Sequence, residues 1–292
     1  MTSTSCAVCR SAVSPTYSGP VRDGAFGRVI PATVTRCAEC GVERLEDVQL
    51  SADYYTGDTY RKDLEESPDV AGYFERHDRE QFERMNLLEA IPLRDAVVAD
   101  IGCAGGSFLD SISGFARTTI AVDPAEAYHA SLRARGHEVH GTLDAALAKW
   151  GAAVDAVFCF SVIEHVEDPV GLLSGIRALL RPGGIALVST PNRDDILMRL
   201  GSEAYRAFFY RKVHRFYFDG ASLSKAASAA GFSDTRLRFL HRFGHANFTT
   251  WLLHGRPGGR IDSPLGPLFD ATWRATLEDR GLADYLYAYM RA

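Results

Sequence analysis

The run Val97-Val98-Ala99-Asp100-Ile101-Gly102-Cys103-Ala104-Gly105-Gly106-Ser107-Phe108 holds an apolar strand that stops on an acid and breaks into glycines. A strand, a glycine-rich turn and a helix in that order let ligand atoms approach bare backbone, where a β-carbon would collide. The next strand, Thr118 to Val122, ends at Asp123, about twenty residues beyond the loop, where a ribose-binding acid belongs. A second group is made of sulfur. Cys6-Ala7-Val8-Cys9 and Cys37-Ala38-Glu39-Cys40 are two C-x-x-C hooks, and four soft sulfurs in a tetrahedron are what zinc prefers. With every position filled by cysteine, no site stays open for substrate, so the metal is expected to fold the module and not to catalyse. Free thiols or a redox pair are the alternatives, and disulfides are the poorer reading in a reducing compartment. Cys103 and Cys159 read as small core hydrophobes.

These groups need a scaffold. Phe158 to Phe160 continues as Ser161-Val162-Ile163-Glu164-His165-Val166, a buried strand ending in polar residues, followed by Asp168-Pro169 and a helix through Leu180. Arg181-Pro182-Gly183-Gly184 reads as a turn, in which Pro sets φ and Gly accepts φ > 0, before a strand from Ile185 to Val188. Apolar side chains at helical spacing from about Ala71 to Ala90 predict a leading helix stopped by Ile91-Pro92. A short strand is expected at His137 to Val139, a helix from Ser222 to Ala230, and alternating strands at Thr235 to Leu240 and Tyr285 to Met290.

Two cofactor classes suit the glycine loop. A dinucleotide loop spaces its glycines as G-x-G-x-x-G, whereas Asp100 to Gly106 reads D-x-G-C-A-G-G. That run resembles motif I of the class I S-adenosylmethionine-dependent methyltransferases, with Ala104 where the family often has Gly. The resemblance continues through the fourth strand, its helix, the L-R-P-G-G turn, the fifth strand, and the run His214-Arg215-Phe216-Tyr217-Phe218 to Gly231-Phe232, about residues 70 to 240 in all. It implies an α/β, Rossmann-like, seven-stranded sheet closed by an antiparallel pair, preceded by a small four-cysteine zinc module and carrying a C-terminal insertion before the last strand. The zinc module also resembles that of small-molecule, natural-product and sugar methyltransferases; the sugar enzymes usually carry a further C-terminal domain.

On that resemblance the cofactor is S-adenosyl-L-methionine. Asp100 steers the methionine part, and Gly102, Cys103, Ala104, Gly105, Gly106 and Phe108 form the loop beneath it. Asp123 and Pro124 take the ribose, Leu143 lies by the adenine, and Phe160 and Ser161 lie under the sulfonium. His165 is the first candidate base and His214 the second, because imidazole titrates near neutrality. Tyr54, Tyr55, Glu164, Tyr210, Arg211 and Tyr217 are candidate substrate residues; Tyr54, Tyr55 and Tyr60 alternatively pack the zinc module onto the core.

The expected division is a zinc module over 1–50, a linker and leading helix over 51–92, and the methyltransferase domain over 93–292, with substrate-side insertions at about 193–218 and 243–280. The 46% hydrophobic content is ordinary for a globular protein. No run of eighteen apolar residues occurs, which argues against a membrane span, and the N-terminus lacks a basic start and an apolar core, so a cytoplasmic location is expected.

The net charge of -5 hides an asymmetry: Arg199 to Arg260 holds eleven Lys or Arg against three acids, interleaved with aromatics. A basic, aromatic-lined mouth would draw a nucleotide-linked, carrier-bound or carboxylate-bearing small molecule; a merely solvated basic surface is the plainer reading. An RNA base methyltransferase, gripping nucleic acid through the zinc ribbon, is the alternative, but residues 41–100 hold sixteen acids and seven bases, which repel phosphates. A non-enzymatic scaffold would show a broken cofactor loop, and this loop is intact.

Overall fold

The computed structural model describes residues 5–51, 53–57, 59–63, 69–88 and 91–292; Ala90, the expected end of the leading helix, lies outside them. The chain starts with β1 (Val13–Arg22), β2 (Val29–Cys37) and β3 (Glu43–Leu45), then α1 (Thr59–Asp63) and α2 (Val70–Met85). Asp69 caps α2 by accepting the Gly72 N–H at 2.8 Å. The helix stops at Met85, short of the expected Ala90, with its C-cap at Asn86.

From there strands and helices alternate: β4 (Val97–Ile101), α3 (Ser107–Ser113), β5 (Thr118–Val122), α4 (His129–Ala134), β6 (Glu138–His140), α5 (Leu143–Trp150), β7 (Val154–Phe160), α6 (Pro169–Leu179) and β8 (Leu180–Pro191). After β8 come α7 (Ile196–Arg199), α8 (Glu203–Phe209), β9 (Phe216–Tyr217), α9 (Gly220–Ala229), β10 (Asp234–Leu240), α10 (His245–His254), α11 (Pro267–Asp279) and β11 (Tyr285–Arg291). The stretch expected as an insertion at 243–280 is largely these two helices, α10 and α11.

Seven strands form one sheet in the order β10-β11-β8-β7-β4-β5-β6. β4 to β8 run parallel, and β11 lies antiparallel to both β8 and β10. Every residue of β4 is buried, as a parallel strand covered on both faces requires. Strand order reverses at β4, between β5 and β7, and that switch point opens a crevice at the carboxyl ends of the strands.

Two details depart from the sequence reading. Arg181 to Gly184 does not form a free turn but lies within β8 as a bulge: Val154 pairs with Leu180 and Ala156 with Ile185, so a two-residue step on β7 faces a five-residue step on β8. The Gly183 N–H also donates to Ala292 O at 3.3 Å, which keeps the segment hydrogen-bonded. In addition, the N-terminal strands are not closed on themselves. Their sheet runs β1-β2-β3-β9, with Glu43 opposite Tyr217 and Arg44 opposite Phe216.

Candidate active site

β4 delivers Asp100 and then turns sharply. A β-carbon on Gly102, at φ +77°, would lie 2.3 Å from Val162 Cγ2, and one on Gly105 would lie 2.3 Å from Tyr73 Cδ1. The loop thus needs glycine to admit protein side chains, including the α2 aromatic that roofs it. Ala104 adopts φ +47°, a left-handed conformation that costs an L-residue about 1 kcal/mol. Its N–H donates to Asp123 Oδ2 at 2.7 Å, while the Ala125 N–H donates to Oδ1 at 2.8 Å. Burial, reinforced by the neighbouring Asp123, pushes the Asp100 carboxyl up to about 7 against the pull of Arg84.

A cavity of about 920 Å³ opens at this turn, at the upper end of the range for ligand sites. Asp100, Gly102, Cys103, Ala104, Phe108, Asp123, Pro124, Phe160 and Ser161 line it, with Tyr55, Glu164, His165, Arg211 and His214. The other sequence candidates sit off its wall. Gly105 lies under Tyr73, and Gly106, at φ +89°, is the N-cap of α3. Leu143 starts α5 and turns its Cδ2 toward Gly175 of α6, so it packs between helices and not beside the cavity. Tyr54 is buried with its hydroxyl on Asp63 Oδ2 at 2.8 Å, and Tyr210 donates to Glu43 Oε2 at 2.9 Å. Tyr217 donates to Arg211 O at 3.0 Å and accepts the Arg211 N–H at 2.7 Å. Tyr54 therefore packs the chain, whereas Tyr55 and Tyr60 reach the cavity.

Glu164, His165 and His214 converge, with one potential ligand atom from each within 4.8 Å of the others. The Val213 carbonyl receives the His165 Nδ1–H at 2.8 Å and the Tyr55 hydroxyl at 3.2 Å. Because a carbonyl only accepts, this fixes the tautomer and leaves the lone pair on Nε2. Burial, with Arg211 nearby, lowers His165 to about 4 and takes His214 well below its usual value. Glu164 moves the other way: burial raises it to about 7, partly offset by Thr190, Arg211 and Arg242. Neither of its oxygens accepts a hydrogen bond of ordinary geometry among the described residues.

The far wall comes from residues that sequence reasoning did not single out. Asp195 accepts the Tyr205 hydroxyl and the Leu197 N–H, and burial beside Asp284 raises its carboxyl to about 7. Arg242 donates from Nε to Asp284 Oδ2 at 2.7 Å and lies 4.0 Å from the centre of the Tyr285 ring. Tyr285 in turn bonds Ser161 Oγ, and Ser161 adopts φ +56°, an uncommon conformation for a non-glycine residue. The basic, aromatic segment was visible in the sequence, but which of its residues face inward depends on the turns between α7 and α9. Arg22, from β1, also lines the cavity, and no local pattern signals it.

Remote from the cavity, Cys6, Cys9, Cys37 and Cys40 bring their sulfurs within 4.8 Å of one another. Cys6 and Cys40 Sγ are 3.6 Å apart, and Cys9 and Cys37 Sγ are 3.4 Å apart. A regular tetrahedron with metal–sulfur bonds of about 2.3 Å puts its sulfurs about 3.8 Å apart, so the cluster fits a zinc ion with little adjustment.

Comparison with known proteins agrees with this architecture. A family model described as a methyltransferase domain matches residues 73–237. A Mycolicibacterium smegmatis protein named "probable S-adenosylmethionine-dependent methyltransferase" is 38% identical over 168 residues, 56% of this chain and 61% of that protein. The ubiquinone biosynthesis O-methyltransferase of Cereibacter sphaeroides is 32% identical over 120 residues, 39% of this chain and 48% of that enzyme. The chain thus spans about half to three fifths of the length of these curated relatives. A solved S-adenosylmethionine-dependent methyltransferase from Archaeoglobus fulgidus shares the fold, with a TM-score of 0.53 and 16% identity, over 75% of this chain and 99% of that one. The glycine turn, the strand order and the family match agree with one another, and the chain belongs to the methyltransferase domain family.

Proposed function

We propose that this chain moves a methyl group from S-adenosylmethionine to an O, C or N atom of a small, anionic metabolite. The observation that carries the reading is a single cavity running from the Asp100–Asp123 turn at the sheet's switch point to an arginine-bearing wall. The residues fit the cofactor. The carboxylates of Asp100 and Asp123 suit an ammonium and ribose hydroxyls, and Phe108 and Phe160 supply apolar cover. When bound, the cofactor supplies an already activated methyl group, so the protein's work is to hold the acceptor in line and exclude water. Tyr55, Tyr60 and Phe160 line the cavity together with Glu164.

For an acceptor that must lose a proton, the Glu164, His165 and His214 cluster receives it. Within that cluster Glu164 is poised near operating pH, while the two histidines stay neutral and orient the acceptor. Cys6, Cys9, Cys37 and Cys40 would hold a structural zinc that fixes the N-terminal module. The ubiquinone biosynthesis relative supports a small acceptor over RNA.

The test is formation of S-adenosylhomocysteine from S-adenosylmethionine with a panel of phosphorylated and carboxylated metabolites, beside transfer RNA and ribosomal RNA. Turnover with a small anion supports the proposal. Methylation of RNA alone overturns it.

A further inference from the structure

Five arginines line the cavity: Arg22, Arg84, Arg211, Arg242 and Arg260. Three have acidic partners. Arg84 is 3.9 Å from Glu80, Arg242 is 2.7 Å from Asp284, and Arg260 is 3.1 Å from Glu83. The side chains of Arg22 and Arg211 make no ion pair or hydrogen bond with any described residue, and Arg22 Nε is buried without an acceptor. A guanidinium carries five donors and keeps its charge in proteins, so two adjacent ones without an acidic partner in a concave site favour an anionic ligand.

The pair is built, not incidental. Arg22 ends β1 in the N-terminal sheet, and Arg211 lies far along the sequence between α8 and β9; a parallel bridge sets them side by side. In that bridge the Arg22 N–H donates to Tyr210 O and the Lys212 N–H donates to Arg22 O, each at 2.8 Å. The Tyr217 hydroxyl clasps the Arg211 backbone at both its N–H and its C=O. Phe208 holds the Arg22 guanidinium 4.0 Å from its ring centre, and both Arg22 and Arg211 line the cavity. Burial and the neighbouring Arg211 lower Arg22 to about 9, still charged at neutral pH.

We propose that Arg22 and Arg211 form a clamp for a phosphate monoester or diphosphate on the methyl acceptor, so that the N-terminal module supplies half of the acceptor site. The inference rests on the proposed function and narrows its substrate class. Charge selects the ligand: a carboxylate would neutralise only one guanidinium, whereas a phosphoryl group brings about −1.5 to −2 at pH 7 and three acceptor oxygens, and Arg pairs with it bidentately.

The test is calorimetric titration of inorganic pyrophosphate, and separately of acetate, into the metal-replete full chain with and without saturating S-adenosylhomocysteine. Wild type, Arg22→Gln, Arg211→Gln and Arg22→Lys are compared, with S-adenosylhomocysteine affinity as the check on folding. The expected result is one pyrophosphate site in wild type, weakened at least tenfold in each Gln variant and less in Arg22→Lys, with S-adenosylhomocysteine affinity unchanged within about twofold. Absence of pyrophosphate binding in wild type, equal affinity in the variants, or acetate binding as tight as pyrophosphate overturns the clamp. Failure of wild type to bind S-adenosylhomocysteine counts against the methyltransferase reading, and the pyrophosphate titration without it still decides the clamp.

Discussion

The backbone N–H of Ala104 donates to Asp123 Oδ2 across 2.7 Å, so the turn after β4 is anchored by the acid that follows β5. The same carboxylate accepts the Ala125 N–H through its other oxygen. One side chain therefore shapes both loops where a nucleoside would lie.

Asp123→Ala strands these two amides. The expected cost is about 1 to 3 kcal/mol of stability, and at least tenfold in affinity for S-adenosylhomocysteine, read by calorimetry. Asp123→Asn, which keeps one acceptor, should lose less. Unchanged affinity in the Ala variant would remove Asp123 from the cofactor site.

Glu164 sets the expected pH dependence of turnover. A base with its pKa at about 7 works only when deprotonated, so kcat should rise with pH through that value, and Glu164→Gln should abolish the rise. His165, at about 4, is already deprotonated across that window and would give no step there. A step retained in the Gln variant would assign the titration to another group.

Stability should run opposite to turnover. Asp100, Glu164 and Asp195 each have a folded pKa of about 7, above the ordinary carboxyl value of about 4. The folded state then holds protons that the unfolded chain has released, so their stabilisation is complete below about pH 4 and is lost as pH rises through 7. His165, His214 and His241, all lowered in the folded state, act in the reverse sense around and below about 6.5, and comparing wild type with Asp195→Asn at pH 6.5 and at 8.5 cancels their contribution. The ligand-free protein should melt at a lower temperature at pH 8.5, and Asp195→Asn should shrink the difference. Equal melting temperatures in the wild type would mean that these carboxyls ionise freely.

If the Cys6, Cys9, Cys37 and Cys40 cluster holds zinc as proposed, chelation should release more than the hooks. β3 pairs with β9, so amide exchange should accelerate together at residues 43–45 and 216–217 when zinc is chelated, and metal analysis should return one ion per chain. Full chelation with protection intact at both segments would deny the metal a structural role.

Much of the fold was legible because its signals are local. The buried run of β4, the turn that follows it, the acid after β5 and the alternation of β10 and β11 each sit within a few consecutive residues. The misreadings share one cause. Leu143 lies at the start of a helix whose orientation was open, and it turns to α6. Arg181 to Gly184 has turn composition, yet the step it makes is set by the register of β7 opposite. Arg22 ends a strand that is exposed along much of its length, and only the bridge to Arg211 brings it to the cavity. Periodicity reports which face of an element is apolar, and it is silent on which distant segment lies beside it.

The pairing of β3 with β9 also has a meaning in time. Its two strands are separated by about 170 residues, and a ribosome adding roughly 5 to 20 residues per second needs on the order of ten to thirty seconds to cross that interval. The cysteine hooks can meet early, but the sheet edge at Glu43 to Leu45 waits for Phe216 and Tyr217. During that interval the nascent N-terminal sheet presents an unpaired strand, which is the kind of surface that chaperones cover and that other chains can capture.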